Sequence, residues 1–224
     1  MNNLNHVAFI MDGNGRWGLK KKKTRNFGHL EGVKTVQKVV EASIFFKIPV
    51  ITFYVFSSEN WKRPKSEITY LFNLIKIYFK KEINNIIKNK IKINVLGRKN
   101  DLPQKINQIL ASAVRKTKKN NKLTINLAIN YGSKNEIIDT IKKLLLKSKK
   151  INEVNINSNL YLNLPFPDIL IRTGGRKRLS NFMLWQLAYT EFFFLDKLWP
   201  EFTKMDLGKI IKKFNKTKRN YGDI

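Results

Sequence analysis

Three short segments of this chain combine acids, arginines, glycines and hydroxyl groups in a pattern suited to binding phosphate. They read D-G-N-G-R at 12–16, F-S-S-E-N-W-K-R-P at 56–64 and R-T-G-G-R-K-R-L-S at 172–180. Glycine lets backbone N–H groups approach an anion closely, and a guanidinium group donates paired hydrogen bonds to phosphate oxygens. A carboxylate beside a phosphate requires a divalent cation between them, so Asp12 is a candidate magnesium ligand.

Each segment also has a simpler interpretation. Asp, Gly and Asn favour turns, so positions 12–16 could form an ordinary turn. The second segment could be a hydrophilic loop with Trp61 anchored in the core, although a tryptophan in so polar a loop could instead cover an apolar ligand. Positions 172–180 could form a solvated basic turn.

The charge of the chain points first to a nucleic-acid or anionic-membrane partner, because 44 lysines and arginines face 16 acids and give a formal net charge of +28. Nine of the 44 are arginines, which leaves 35 lysines, and these are scattered along the chain. Six arginines lie instead in short segments that contain Gly or Pro: Arg16, Arg25, Arg63, Arg172, Arg176 and Arg178. Their placement favours bidentate binding of an oxyanion, and the lysines indicate a bias of composition.

Composition excludes several kinds of site. The chain has no cysteine, which excludes disulfides, thiolate nucleophiles and cysteine-ligated zinc. It has two histidines, too few for a multi-histidine metal site. No apolar run reaches the roughly 18 residues of a membrane span. We therefore expect a cytoplasmic protein, or one peripheral to the membrane.

Short apolar segments alternate with longer segments of helical period. The predicted strands are 6–11, 50–56, 91–96, 123–130, 168–172 and 191–195. The predicted helices are 30–46, 66–87, 102–118, 133–149 and 205–218. This alternation predicts an α/β fold, a single domain over residues 1–224 with a central six-stranded, mainly parallel sheet flanked by helices. Positions 152–167, rich in Asn and containing two prolines, are expected to form a surface excursion.

The carboxyl ends of parallel strands gather the loops that bind ligands. Each of the three segments follows a predicted strand, so we expect them to meet at one edge of the sheet. Glu191 opens the last predicted strand, where it could be a second metal ligand beside Asp12 or an ordinary residue at the start of a strand.

Long motifs, in order along nearly the whole chain, resemble one family. They are H-V-A-F-I-M-D-G-N-G-R-W at 6–17, R-N-F-G-H at 25–29, F-S-S-E-N-W-K-R-P at 56–64, N-Y-G at 130–132, D-I-L-I-R-T-G-G at 168–175, R-L-S-N-F-M-L-W-Q at 178–186, Y-T-E-F-F-F at 189–194 and L-W-P at 198–200. On these motifs the chain is identified as similar to the cis-prenyltransferases, which include bacterial undecaprenyl diphosphate synthases. It lacks the D-D-x-x-D motif of the trans-type enzymes.

This resemblance implies a magnesium-dependent enzyme that condenses isopentenyl diphosphate repeatedly with farnesyl diphosphate. The implied product is a long-chain polyprenyl diphosphate, undecaprenyl diphosphate, the precursor of the lipid carrier for cell-wall polysaccharide synthesis. The family also implies a homodimer and a transient contact with the membrane surface when product is released. A nucleic-acid partner is not expected.

Carried over position by position, the resemblance implies the following roles. Asp12 would be catalytic and bind magnesium with Glu191, and Asn60 would assist proton removal. The expected substrate-binding residues are Gly13, Asn14, Gly15, Arg16, Trp17, Arg25, His29, Ser57, Ser58, Glu59, Trp61, Arg63, Arg172, Arg178, Leu179 and Ser180. A small rise in the pKa of His29 would let it help the leaving group.

A growing hydrocarbon chain needs an apolar tunnel. The candidates for its wall are the strand at 50–56 and the side chains of Val36, Val40, Ile44, Leu71, Leu74, Ile75 and Phe79. An ordinary core role explains these residues equally well, because amphipathic helices bury one face in any case.

The chain departs from the family at 176–177, where Arg-Lys stands in place of the usual acid and histidine. Three alternatives remain open: a nucleic-acid binder, a non-catalytic partner subunit and an enzyme with a shorter product. A non-catalytic subunit would be expected to lose Asp12 or Asn60, and the chain retains both.

Overall fold

The computed structural model describes residues 4–218, so both ends of the predicted domain, 1–3 and 219–224, lie outside the described residues. Its strands are β1 (His6–Ile10), β2 (Val50–Ser57), β3 (Ile91–Leu96), β4 (Leu123–Tyr131), β5 (Ile169–Arg172) and β6 (Glu191–Phe194). Its α-helices are α1 (Asn14–Lys20), α2 (Arg25–Phe45), α3 (Lys65–Lys88), α4 (Gln104–Thr117), α5 (Ser133–Leu146), α6 (Glu153–Asn159) and α7 (Lys204–Phe214). Short 3₁₀ helices occupy Ser58–Lys62, Lys99–Asp101 and Trp199–Glu201.

The six strands form one sheet in the order β3-β4-β2-β1-β5-β6, and every neighbouring pair is parallel. The predicted α/β class and six-stranded sheet are therefore confirmed, with all strands parallel. From β1 the chain leads to β2 on one side, whereas from β5 it leads to β6 on the other. This reversal opens a crevice at the carboxyl ends of β1 and β5, where α/β sheets bind ligands.

The two faces of the sheet have separate cores. Val7 and Phe9 of β1 belong to a large cluster shared with α2, α3, α4 and α7. Ala8 and Ile10 face the other way, where Phe182 belongs to the same cluster and is fully buried. Because both faces are covered, the strands are apolar on both sides, as predicted for β2.

Three elements differ from the sequence-based expectation. The helix expected at 30–46 begins five residues earlier, because the Thr24 hydroxyl accepts a hydrogen bond from the Phe27 N–H and caps the start. The short helix α1 was not expected in so glycine-rich a segment. Part of the expected surface excursion forms α6, whose first turn is capped by Asn152.

No helix within residues 4–218 is both long enough and apolar enough to cross a membrane.

Candidate active site where two cavities meet

Asp12 follows β1 at the crevice, and its main chain is held firmly. Its carbonyl accepts hydrogen bonds from the Thr173 hydroxyl at 2.7 Å and from the Trp199 N–H at 3.0 Å. Gly13 follows with φ 110°, and a Cβ at this glycine would lie 2.7 Å from the Leu198 side chain. The glycine therefore permits both the left-handed backbone and the close packing that turn the chain into α1.

The carboxylate of Asp12 contacts two guanidinium groups and is still 28% exposed. Arg16 donates to one of its oxygens at 3.1 Å and to the Gly174 carbonyl at 2.8 Å. Arg172 donates to the other oxygen at 3.0 Å. Asp12 is thus an accessible carboxylate whose orientation is set from both sides.

Arg172 is the best-fixed cation of the site, with only 4% of its side chain exposed. Besides Asp12, it donates to the Ser180 hydroxyl at 2.9 Å and to the Arg178 carbonyl. These contacts fold the third segment back over the end of β5. One buried side chain therefore ties the first segment to the third.

Asn14 begins α1 without a side-chain cap on the helix. The first N–H groups of a helix have no intrahelical acceptor, so they remain available to an anion. The buried Oδ1 of Asn14 also has no hydrogen-bond partner among the described residues. The start of α1 thus presents unsatisfied polar groups close to Asp12.

Glu67 on α3 connects the two arginines that the sequence places near the first and second segments. Its carboxylate accepts hydrogen bonds from Arg25 at 3.3 Å and from Arg63 at 3.0 Å. Burial raises the pKa of Glu67, but the Arg25 hydrogen bond and the charge of Arg63 outweigh burial, so the net pKa is lowered. The ionised Glu67 therefore holds both guanidinium groups at the site.

His29 lies 3.3 Å from the same carboxylate. Burial lowers the pKa of His29, the Glu67 charge opposes this shift, and the charge of Arg63 adds to it, so the net pKa lies below its usual value. The expected rise in this pKa is wrong, because desolvation penalises the imidazolium more than the carboxylate favours it. At neutral pH His29 is an uncharged hydrogen-bonding group.

The second segment is a 3₁₀ turn with reciprocal caps. Asn60 accepts a hydrogen bond from the Ser57 N–H at 3.1 Å. Glu59 accepts one from Asn181 at 2.8 Å, which joins this turn to the third segment. The indole N–H of Trp61 donates to Asn130 at 2.8 Å, while its ring packs against Phe56. Trp61 therefore anchors the turn, although 38% of it is exposed.

Two cavities open at this edge. The larger, about 730 Å³, is lined mainly by apolar side chains of β2, α2 and α3. The smaller, about 340 Å³, is lined by Asp12, the glycine loop and five arginines. Six residues line both cavities: Met11, Asp12, Asn14, His29, Arg63 and Arg178. A hydrocarbon compartment and an anion compartment therefore meet at the Asp12 carboxylate.

Most of the expected site residues come together here. Those lining one or both cavities are Asp12, Gly13, Asn14, Gly15, Arg16, Arg25, His29, Ser57, Glu59, Asn60, Arg63, Arg172, Arg178 and Ser180. Among the described residues, those of the expected set that line neither cavity are Trp17, Ser58, Trp61, Leu179 and Glu191. Trp17 instead stacks on Phe27, and Leu179 packs against the core on the second face of the sheet.

Glu191 lies at the other end of its strand from Asp12. It pairs with Ile169, three residues before Arg172, whereas Asp12 follows Ile10, the partner of Arg172. Three strand residues span about 10 Å, and β6 is separated from β1 by β5. Within one chain the two carboxylates therefore do not meet.

The donor set near Asp12 fits a magnesium ion held jointly with substrate. No group of three or more His, Cys, Asp or Glu side chains within residues 4–218 could bind a metal by itself. Magnesium commonly takes one or two protein carboxylates together with substrate phosphates. Asp12, which faces both cavities, is the carboxylate that could fill that role.

Five of the seven candidate tunnel residues line the larger cavity: Val36, Leu71, Leu74, Ile75 and Phe79. Val40 and Ile44 line neither cavity; Val40 lies in the core, and Ile44 packs against it. One polar residue of the site, Glu67, was missed, because it falls within the predicted helix 66–87. It could have been found by asking which charges face the predicted loops.

Comparisons with known proteins agree with this geometry. A family model described as "Putative undecaprenyl diphosphate synthase" matches residues 10–222. The isoprenyl transferase of Fusobacterium nucleatum is 43% identical over 220 residues, covering 98% of this chain and 96% of that protein. The isoprenyl transferase of Rickettsia bellii is 45% identical over 224 residues, covering 99% of both.

Two solved structures are similar over the whole fold. A probable undecaprenyl diphosphate synthase from Campylobacter jejuni is 37% identical with a TM-score of 0.87, covering 100% of both chains. Lavandulyl diphosphate synthase from Lavandula x intermedia, in complex with dimethylallyl diphosphate, is 28% identical with a TM-score of 0.94, covering 98% of both chains.

Proposed function

Because the chain belongs to the undecaprenyl diphosphate synthase family of isoprenyl transferases, we propose that it condenses isopentenyl diphosphate repeatedly with farnesyl diphosphate. The observation that carries this proposal is the junction of the two cavities at Asp12. An allylic diphosphate has an apolar tail and a highly charged head, and its reacting carbon lies between them. The junction offers a place for each part.

The head groups have distinct places in this proposal. The glycine loop, Arg16 and Arg25 bind the allylic diphosphate, with the N–H groups that begin α1. Arg172, Arg178 and Ser180 bind the diphosphate of isopentenyl diphosphate, and Ser57 to Arg63 covers both substrates. Four expected substrate-binding residues then act indirectly, by packing the segments that carry the substrate-binding side chains: Trp17, Ser58, Trp61 and Leu179.

Asp12 would hold a magnesium ion together with a substrate diphosphate. A bound magnesium ion would neutralise negative charge that develops on the diphosphate as the C–O bond breaks. Glu191 has no place in this set within one chain, so the metal proposal rests on Asp12.

The protein groups account for the reaction as follows. The allylic C–O bond breaks, and guanidinium and N–H groups stabilise the departing diphosphate. The allylic cation adds to the double bond of isopentenyl diphosphate to form a C–C bond. Loss of a proton then forms the new cis double bond. Asn60 lines the larger cavity next to Ser57 and is our candidate to assist this step.

The elongating chain enters the apolar cavity. Its wall of β2, α2 and α3 side chains excludes water from the hydrocarbon, which favours chain growth inward. We propose undecaprenyl diphosphate as the product, to serve as precursor of a lipid carrier for cell-wall polysaccharides.

A homodimer is part of the proposal. β6 is an edge strand, and Phe192 on it is 42% exposed. An apolar edge strand left open is an aggregation hazard, so a second copy covering it is the simplest protection. Light scattering during size-exclusion chromatography tests this: a monomer at micromolar concentration would contradict it.

A transient membrane contact is also proposed, at the corner between α5 and α6. Four apolar side chains there are more than half exposed: Leu145, Leu146, Ile151 and Val154. Five lysines lie close to them in sequence: Lys142, Lys143, Lys147, Lys149 and Lys150. Apolar side chains flanked by lysines suit an anionic bilayer surface.

The enzyme proposal is tested by incubating the protein with farnesyl diphosphate, labelled isopentenyl diphosphate and magnesium, and then sizing the product. We expect magnesium-dependent elongation to long chains. An absence of elongation would overturn the proposal, and products of a few added units would limit it to a shorter-chain enzyme. A nucleic-acid binder would instead show salt-dependent binding and no elongation.

A further inference from the structure

Arg176 is the least explained residue of the polar cavity. It lies in the segment after β5 and lines the smaller cavity together with four other arginines. Asp12 is the only acid among the described residues that line this cavity. The cavity therefore has an excess of fixed positive charge, to which Arg176 adds.

The arginines of the cavity differ in how they are neutralised. Arg16 pairs with Asp12, while Arg25 and Arg63 share Glu67. In the part of the chain that the structure describes, the side chains of Arg176 and Arg178 form no ion pair or hydrogen bond. Within residues 4–218, two guanidinium groups at the cavity are thus left without a counter-charge.

The backbone that carries Arg176 is fixed although its side chain is exposed. The Gly174 N–H donates to the Lys197 carbonyl and the Gly175 N–H to the Leu195 carbonyl, both at 2.8 Å. Gly174 has φ 88°, and a Cβ there would lie 2.5 Å from the Arg16 guanidinium group. The turn is therefore pressed against the Asp12–Arg16 pair, and Arg176 leaves it at the mouth of the cavity.

We propose that Arg176 is a direct diphosphate ligand of this cavity, and that it gives the cavity affinity for a diphosphate group without a divalent cation. The proposal rests on the function proposed above, because it concerns how the same site holds its charged groups. A forked cationic donor with no partner among the residues that the structure describes can give paired hydrogen bonds to phosphate oxygens. An acid at this position would instead repel a diphosphate.

The neighbouring Lys177 provides a matched control. It carries the same charge, is also exposed, and lines neither cavity. Substitution of either residue by glutamine removes one positive charge from the same turn. Differences between Arg176→Gln and Lys177→Gln therefore report a direct contact, while equal effects report the general field of a basic protein.

Isothermal titration calorimetry with inorganic diphosphate, in excess EDTA, tests the proposal on the intact chain. We expect saturable binding by the wild type, a Kd about tenfold weaker for Arg176→Gln and less than about threefold weaker for Lys177→Gln. Arg176→Lys should recover part of the affinity, because it restores charge without the fork. Equal weakening by both glutamine variants, or no binding by the wild type without metal, would overturn the proposal.

Elongation by the wild type with magnesium is measured in parallel. Elongation together with equal effects of the two glutamine variants overturns the role of Arg176 and leaves the enzyme proposal intact. Binding that depends on Arg176 without elongation supports this diphosphate contact and overturns the enzyme proposal. Melting temperatures confirm that all variants are folded.

Discussion

The two ends of β1 carry polar groups of opposite character. At its amino end His6 is fully buried, and one ring nitrogen lies 2.6 Å from the Pro165 carbonyl and the other 2.7 Å from the Thr52 hydroxyl. A carbonyl can only accept, so Nδ1–H donates to Pro165 and the neutral ring accepts from Thr52. Asn126 in turn donates to Thr52 at 2.9 Å. This closed polar chain links neighbouring strands.

At the carboxyl end, Asp12 is also hydrogen-bonded but stays accessible. Around it lie an unpaired oxygen of Asn14 and two unpaired guanidinium groups, within the described residues. The two ends therefore differ in whether their polar groups have hydrogen-bond partners within the protein. Polar groups that hydrogen-bond to one another stabilise the sheet, whereas polar groups without a partner at a cavity can bind a ligand.

The largest effect should follow the substitution Asp12→Ala. We expect at least a ~1000-fold loss of elongation with little change in melting temperature, because the carboxylate is accessible and organises charge in the transition state. Product formation and thermal unfolding measure the two effects. Asp196→Ala is the matched control, since Asp196 also lies two residues beyond a strand end but lines neither cavity. Equal losses in both variants would contradict the distinction.

The amino end of β1, where His6 is buried, should instead make the free energy of unfolding depend on pH. Burial lowers the pKa of His6 from 6.5 to about 4, although the Pro165 hydrogen bond and the Asp168 charge oppose this shift. Between about pH 4 and 6.5, His6 is therefore protonated in the unfolded chain but not in the folded chain. The free energy of unfolding rises with pH over this range. The contribution is fully present above pH 6.5, and roughly 3 kcal/mol is lost as the pH falls to 4.

His6→Leu should remove this part of the pH dependence. At pH 7 the variant is expected to be less stable by about 2 to 3 kcal/mol, because it leaves the Pro165 carbonyl without its donor. Near pH 4 the two proteins should approach equal stability. Denaturant unfolding across the pH range measures the difference, and parallel curves would show that His6 is not the group responsible.

Arg172 combines features of the two ends of β1, since it is buried like His6 and contacts Asp12. Arg172→Lys keeps the charge but loses the fork, so we expect kcat/KM to fall about 10- to 100-fold. Arg98→Lys is the control, because Arg98 makes a bidentate pair with Asp139 and lines neither cavity. A comparable loss of activity in that variant would point to general destabilisation.

The smallest effect is expected at Trp61, whose hydrogen bond to Asn130 holds the 3₁₀ turn beside the site. Trp61→Phe keeps the packing against Phe56 and removes the hydrogen bond to Asn130, which should cost about 1 kcal/mol. KM should rise by no more than about threefold. Unfolding and steady-state kinetics measure these changes; a loss as large as that expected for Arg172→Lys would place Trp61 directly against substrate.

Much of this arrangement follows from sequence patterns. Two-sided apolar runs such as Val50 to Phe56 predict buried parallel strands, and parallel strands bring their following loops to one edge. The order of the motifs predicted the family, which is confirmed. Helix α1 was missed because glycine lowers helix propensity, and here tertiary packing on α2 and on the Trp199 turn overrides that preference.

Local spacing could not show which distant charges meet. Glu67 looks like an ordinary acid in the first turn of a helix, yet in space it holds Arg25, 42 residues away in sequence. Glu191 follows the motif pattern of a ligand, but strand register places it away from Asp12. The pKa of His29 was predicted to rise but is lowered, because the burial that lowers it cannot be inferred from neighbours in sequence.

The amino-acid sequence by itself determined the element types, the parallel sheet and the edge at which function would lie, because periodicity and glycine placement act over a few residues. Only the tertiary structure decided which polar groups are satisfied. His6 and Asp12 lie within one short motif, and nothing in their spacing distinguishes them. His6 is buried and hydrogen-bonded between Thr52 and Pro165, whereas Asp12 lies at the crevice between β1 and β5 and stays accessible to a ligand.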